Sequence, residues 1–174
     1  STSNKVTVNT SGKNVESFGL GSNSNSNLAI GVISGETSQN NSITLNTGKI
    51  SSQSVGIDTN SNINIGSLNG NFVQNNSINI STNDVNSYIY GVGATGEISV
   101  GFVDTASGQA NNMNIKVGSI TNEVYAADST SRIRVGYSKG SGDMNLNIGD
   151  IENHLNAAAA VSYTHLRAHE TTHD

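Results

Sequence analysis

NSITLNTGKISSQSVGIDTNSNINIGSLNGNFVQN, residues 41–75, recurs before and after itself with no gap, at a spacing of 35 residues. Sliding the chain by that spacing puts Val8, Ile43, Ile78, Met113 and Ile148 in one column and Leu28, Ile63, Ile98 and Ile133 in another. Val15, Ile50, Val85 and Ile120 form a third, and Leu20, Val55, Tyr90 and Tyr125 a fourth. Ile30, Ile65, Val100 and Val135 stack beside an all-glycine column of Gly31, Gly66, Gly101 and Gly136. A period of this size marks a solenoid, in which each unit buries its apolar face only against its neighbours.

Within each unit apolar and polar residues alternate, as in Ile43–Leu45, Ile63–Ile65, Ile78–Ile80 and Ile98–Val100. That is the period of a strand with one buried face. The strands begin alternately 20 and 15 residues apart, so each unit reads as two turns of unequal length. A single circuit of the whole unit would have a perimeter of about 115 Å, too wide for about a dozen apolar side chains to fill. The expectation is an all-β fold: a single-stranded parallel β-helix with two turns per repeat, about eight turns and roughly 40 Å tall.

The solenoid is assigned to residues 1–153, as about four units, and residues 154–174 to a non-repeat tail. Ala157–Ala160 and the residues after them have the composition of a short helix, and Val161–Thr171 resembles a translated sequencing adapter rather than natural protein. The chain opens at Ser1 with the first repeat already under way at Val6, as expected of a slice from a longer protein.

Composition narrows the function classes. Hydrophobic residues are 33% of the chain, charged residues 12%, and the net charge is −5. Disorder would call for low hydrophobicity together with high net charge, and here the apolar residues fall in strict columns. Eight Lys and Arg are scattered without forming a stripe, which argues against nucleic acid as a partner. Cysteine is absent, which excludes disulfides and thiolate chemistry. Proline is absent too, in keeping with strands that are paired on both edges. No apolar run is long enough to insert this segment into a bilayer as a helix.

Polar columns fit a stack. Asn40, Asn75 and Asn145 align, interrupted by Ala110, and Ser17, Ser52, Ser87 and Asn122 align; such columns can make side-chain ladders and satisfy corners. Glycine follows strands in Ile63–Leu68, Ile98–Val103, Ile115–Ile120 and Leu146–Ile151, where it permits a positive φ or a close approach to the next turn. Gly21, Gly56 and Gly91 give way to Ala126, so that position needs smallness more than a positive φ.

Three constellations could carry chemistry. His169, Glu170 and His173 spell HExxH, the zinc-protease pattern. It lacks a third ligand and a walled cleft, and it lies in the adapter-like tail, so neither a metal nor a cofactor is assigned. Asp58, Asp84, Asp104, Asp128, Asp143 and Asp150 suggest calcium or a glycosidase pair, but Asp58 aligns with Gly93 and Asp128, and Asp104 with Asn69 and Lys139. Without a shared column of carboxylates they read as solvated turn residues, and no catalytic residue is assigned. Tyr90 and Tyr125 share a column with Leu20 and Val55, which reads as core; Tyr88 aligns with Phe18, Gln53 and Glu123, which reads as surface and as a candidate platform for a sugar.

NSITLNTGKI (41–50), NIKVGSI (114–120) and MNLNIGDI (144–151) resemble the passenger repeats of bacterial autotransporters. The resemblance implies a right-handed β-helix displayed outside the cell at the outer membrane, and a membrane barrel elsewhere in the parent chain. No serine protease domain accompanies the repeats, so the resemblance transfers no catalytic residue. The expected function is non-enzymatic: a secreted or cell-surface solenoid presenting surface for adhesion to glycans or proteins of host or neighbouring cells. The alternative is a carbohydrate-active or phage-tail-like β-helix enzyme. Ice binding would need a flat threonine array, and the columns Thr44, Asn79, Asn114 and Asn64, Ser99, Arg134 are too irregular for it.

Overall fold

A computed structural model describes residues 2–156 and 161–166. Three parallel sheets wind around one axis. The first stacks β1 (Lys5–Asn9), β5 (Ser42–Asn46), β8 (Ser77–Thr82), β11 (Asn112–Val117) and β14 (Met144–Ile148). The second stacks β2 (Val15–Leu20), β6 (Ile50–Ile57), β9 (Val85–Val92), β12 (Ile120–Ala127) and β15 (Ile151–Leu155). The third holds β3 (Asn25–Ser34) and β4 (Thr37–Gln39), both on β7 (Asn60–Gln74), followed by β10 (Thr95–Gln109), β13 (Thr130–Ser138) and β16 (Val161–Leu166).

Register corrects the expected number of turns. Ile63 pairs directly with Ile98, and Ile98 with Ile133, so residues 35 apart occupy adjacent strands and one unit makes one circuit. Four intervals of about 4.8 Å then give a stack of roughly 20 Å, half the expected height. A circuit this wide is not a round tube filled by apolar side chains alone. Polar side chains close much of the interior, and hydrogen bonds tie β6 to β3 and β7 directly.

Two coils depart from the period. Val6 pairs with Ile43, a step of 37, because the corner between β1 and β2 holds two extra residues. Met113 pairs with Met144, a step of 31, because the chain between β13 and β14 is shorter. The expected column of Val8, Ile43, Ile78, Met113 and Ile148 is therefore corrected at both ends: Val8 pairs with Leu45 and Ile148 with Val117. Both changes are even in number, so the same side chains still point inward. The solenoid also runs past residue 153, and Val161–Leu166 is a strand on β13 rather than a helix.

Inside, Ile43, Ile63, Ile78, Ile98, Ile115 and Ile133 belong to one continuous apolar cluster. Ile89, Ala94, Val124 and Ala126 form a smaller one. Between the second and third sheets runs a buried zigzag of hydroxyls. Ser26 donates to Ser17 at 2.8 Å, Ser52 to Ser26 at 2.8 Å, Ser61 to Ser52 at 2.7 Å and Ser87 to Ser61 at 2.9 Å. In the next coil Gly96 replaces the serine and Asn122 fills its space, donating to the Gly96 carbonyl at 3.1 Å and to Ser131 Oγ at 2.8 Å. A Cβ on Gly96 would lie 2.8 Å from Asn122 Oδ1. We expect Gly96→Ser and Asn122→Ser each to destabilise the fold, and the double variant to recover part of the loss. The coupling should be about 1–2 kcal/mol in a urea-unfolding double-mutant cycle; additive losses would contradict the exchange.

At the corner before the first sheet, asparagines stack. Asn4, Asn41 and Asn76 each donate backbone N–H and side-chain Nδ2 to Oδ1 of the asparagine one coil on, Asn41, Asn76 and Asn111. This is the amide ladder expected of Asn40, Asn75 and Asn145, displaced by one residue. Asn40, Asn75 and Ala110 instead take left-handed φ of 54°, 53° and 51°, and Asn145 lies in β14 opposite Asn114. Asn23, Asp58, Gly93 and Asp128 form a second left-handed corner column, φ 52° to 65°, which accounts for Asp58 and Asp128 as turn residues.

Candidate contact surfaces

Each long strand of the third sheet bends at the all-glycine column, where φ is 65°, 64°, 65° and 62° at Gly31, Gly66, Gly101 and Gly136. Before the bend Ile63 and Ile65 point inward, and after it Leu68 does. The bend leaves a concavity of about 260 Å³ on the outer face, bounded by Asn62, Asn64, Ser67, Asn69, Glu97, Ser99, Phe102 and Arg134. Its walls are built by register. Val32, Ser67, Phe102 and Tyr137 occupy one outward column, and Phe102 stacks on Tyr137 with ring centres 4.9 Å apart and planes 17° apart.

Charges in the concavity are matched. The Arg134 guanidinium pairs with Glu97 and lies 4.6 Å from the Phe102 ring centre; burial holds its pKa below the usual arginine range. A second concavity of about 370 Å³ shares Asn69 and is bounded also by Asp104 and Lys139. Lys139 donates to Asp104 at 2.6 Å, and that hydrogen bond raises the lysine pKa. The sequence columns placed Asp104 beside Lys139 correctly, but they did not single out Glu97, Phe102, Arg134 or Tyr137. The signal available was the alignment of Phe102 with Tyr137.

The second sheet carries a different surface. Tyr90 and Tyr125 are stacked, with centres 5.2 Å and planes 1° apart, but each is 40% exposed, so the expectation that they fill the core is corrected. Their column runs up through Val55 to Leu20, which is 72% exposed. Phe18, Ile57 and Val92 are exposed beside it. Together they make an apolar stripe parallel to the axis. Tyr88 is half-buried, and burial, reinforced by Glu123, raises its pKa; Glu123 alone is the leading cause for Tyr125. A free sugar platform at Tyr88 is not what the geometry offers.

His169, Glu170 and His173 lie outside the described residues. Among the described residues no group of three or more His, Asp or Glu could hold a metal ion, and no helix is long and apolar enough to cross a membrane. Asp84 accepts from the Ser119 backbone at 3.1 Å and from its hydroxyl at 3.0 Å, closing a corner. Compared with protein-family models, curated proteins and solved structures, the chain matches none.

Proposed function

We propose that this chain is a segment of a secreted or cell-surface rod of the autotransporter-passenger kind, right-handed as parallel strand connections generally are, whose outer faces make adhesive contacts without catalysis. The observation that carries the reading is the exposed stripe of Phe18, Leu20, Ile57, Tyr90, Val92 and Tyr125. Contiguous apolar surface on a soluble fold marks a contact site for another molecule. The stripe follows the axis over four coils, from Leu20 to Tyr125, and ends where Asn156 takes the next place in the column. Partners in this reading are glycans or proteins of host or neighbouring cells, and export would use a membrane barrel elsewhere in the parent protein.

The enzymatic alternative is less well supported, because Glu97 and Asp104 are each held by a cation. A general acid needs a raised pKa and a free proton position. The test coats beads with the purified chain, measures their retention on cultured cells, and assays soluble polysaccharides for turnover. Retention should fall at least tenfold in the Tyr90→Ser/Tyr125→Ser variant, with unchanged circular dichroism and no turnover by the parent chain. Polysaccharide cleavage lost in Glu97→Gln or Asp104→Asn would overturn the non-catalytic reading. Undiminished retention by the tyrosine variant would overturn the role of the stripe.

A further inference from the structure

We infer that the concavity above Phe102 is a binding site for one pyranose ring of a neutral glycan, taken up as the missing rung of an aromatic column. Tyr137 and Phe102 stack at nearly the spacing of successive coils. The next position in that outward column is Ser67, which is only 1% exposed although it points away from the core. A small hydroxyl, accepting from Asn69 Nδ2 at 3.1 Å, stands where a ring would continue the stack, and the concavity lies beside it. A guest filling it has Phe102 and the Arg134 guanidinium as its wall, so it needs an apolar face of ring size.

The rim specifies the rest. Asn62 Nδ2 donates to Asn27 at 3.0 Å, Asn69 Nδ2 to Ser67 at 3.1 Å and Ser99 Oγ to Glu97 at 3.4 Å; the amide oxygens, the second amide N–H of each asparagine and the Ser99 lone pairs are left to match hydroxyls arranged around a ring. At the floor, Asn64 Oδ1 and Arg134 Nε are an acceptor and a donor without partners among the described residues. Both atoms are closed to solvent, so a hydroxyl reaches either only when its side chain turns. Because Glu97 neutralises Arg134, the site has no net charge with which to select a uronate or a phosphate. The adjoining concavity, reached across Asn69, gives a second ring of the same chain a place to lie. Sugar recognition here depends on the reading of the outer surface as non-catalytic contact surface, but it uses a different face from the tyrosine stripe.

The experiment titrates the full chain with neutral tetrasaccharides of glucose, galactose or N-acetylglucosamine and follows saturation-transfer NMR. At least one should bind, with strongest transfer to the ring C–H protons of a single residue. Ser67→Tyr fills the rung and should abolish binding while leaving the melting temperature unchanged or raised. Phe102→Ala should weaken binding at least tenfold, and Tyr90→Ser/Tyr125→Ser should leave it intact. Failure of all three saccharides to bind, or undiminished binding by a folded Ser67→Tyr chain, overturns the site. Binding of tryptophan or adenosine in place of the sugars does so too. Cleavage of a bound saccharide would instead contradict the non-catalytic reading and leave the site standing; cell retention without saccharide binding would do the reverse.

Discussion

Asn76→Ala should destabilise the chain by about 3–5 kcal/mol, because it strips a buried ladder of its middle rung and leaves the Asn41 N–H without a partner. Asn76 Oδ1 accepts from the Asn41 backbone at 2.8 Å and from Asn41 Nδ2 at 3.0 Å, and its own Nδ2 donates to the Ser38 carbonyl at 3.0 Å and to Asn111 Oδ1 at 2.8 Å. Asn41, Asn76 and Asn111 are all 2% exposed, so water cannot replace the lost amide. The Asn41 N–H left alone costs about 1–3 kcal/mol, and the three other amide hydrogen bonds lost with the side chain about 0.5–1.5 kcal/mol each; the Ser38 carbonyl keeps its place in the ladder with β7. With an unfolding slope of about 1–3 kcal/mol per molar urea, the midpoint should fall by roughly 2 M. Asn79→Ala, at a half-exposed amide bonded to Ser77, should change stability by less than about 1 kcal/mol. Equal effects from the two would mean that the ladder contributes nothing particular.

Gly66→Ala should cost about 2–5 kcal/mol, for two reasons that add. The backbone there is left-handed, φ 64°, which costs a residue with a Cβ about 1–2 kcal/mol. The new methyl would lie 2.7 Å from Ile80 Cδ1 and 3.0 Å from Ile78 Cγ2, both in the closed interior, where overpacking costs about 1–3 kcal/mol. Gly12, with a similar φ of 77° but nothing within 4 Å of a built Cβ, isolates the backbone contribution. Gly12→Ala should lose only about 1–2 kcal/mol. Thermal or urea unfolding of the two variants separates strain from crowding, and equal losses would remove the packing half of the explanation.

Much of the architecture was legible because a solenoid writes its contacts into its period. The columns through Val15, Leu28 and Ile30 are pairs in the sheets. Spacing alone could not give the number of turns per unit, because the interior is not only apolar. Inward positions of the second sheet hold Ser52, Ser54 and Ser87, while outward ones hold Leu20, Val55 and Tyr90. That inversion of the usual pattern explains why Tyr90 and Tyr125 read as core. Among the Asn-Asn doublets, composition does not say which member faces inward. The unbroken column Asn41, Asn76, Asn111, against a neighbouring column interrupted by Ala110, was the available clue. The concavity was not legible, because it arises where a bend brings Asn64 and Ser67 to one face and leaves a gap between coils.

Equivalent residues of successive units lie one strand apart, and a pair of cysteines tests this directly in a chain that has none of its own. Asn79 and Asn114 are registered neighbours on the outer face of the first sheet, within the Cα separation of about 4.4–6.8 Å that a disulfide bridges. Asn64 and Asn79 would be the neighbours if each unit made two circuits, but they lie in different sheets. Mild oxidation should close an intramolecular disulfide in Asn79→Cys/Asn114→Cys, and none in Asn64→Cys/Asn79→Cys. A bridge in the second variant, with free thiols in the first, would contradict the one-circuit coil.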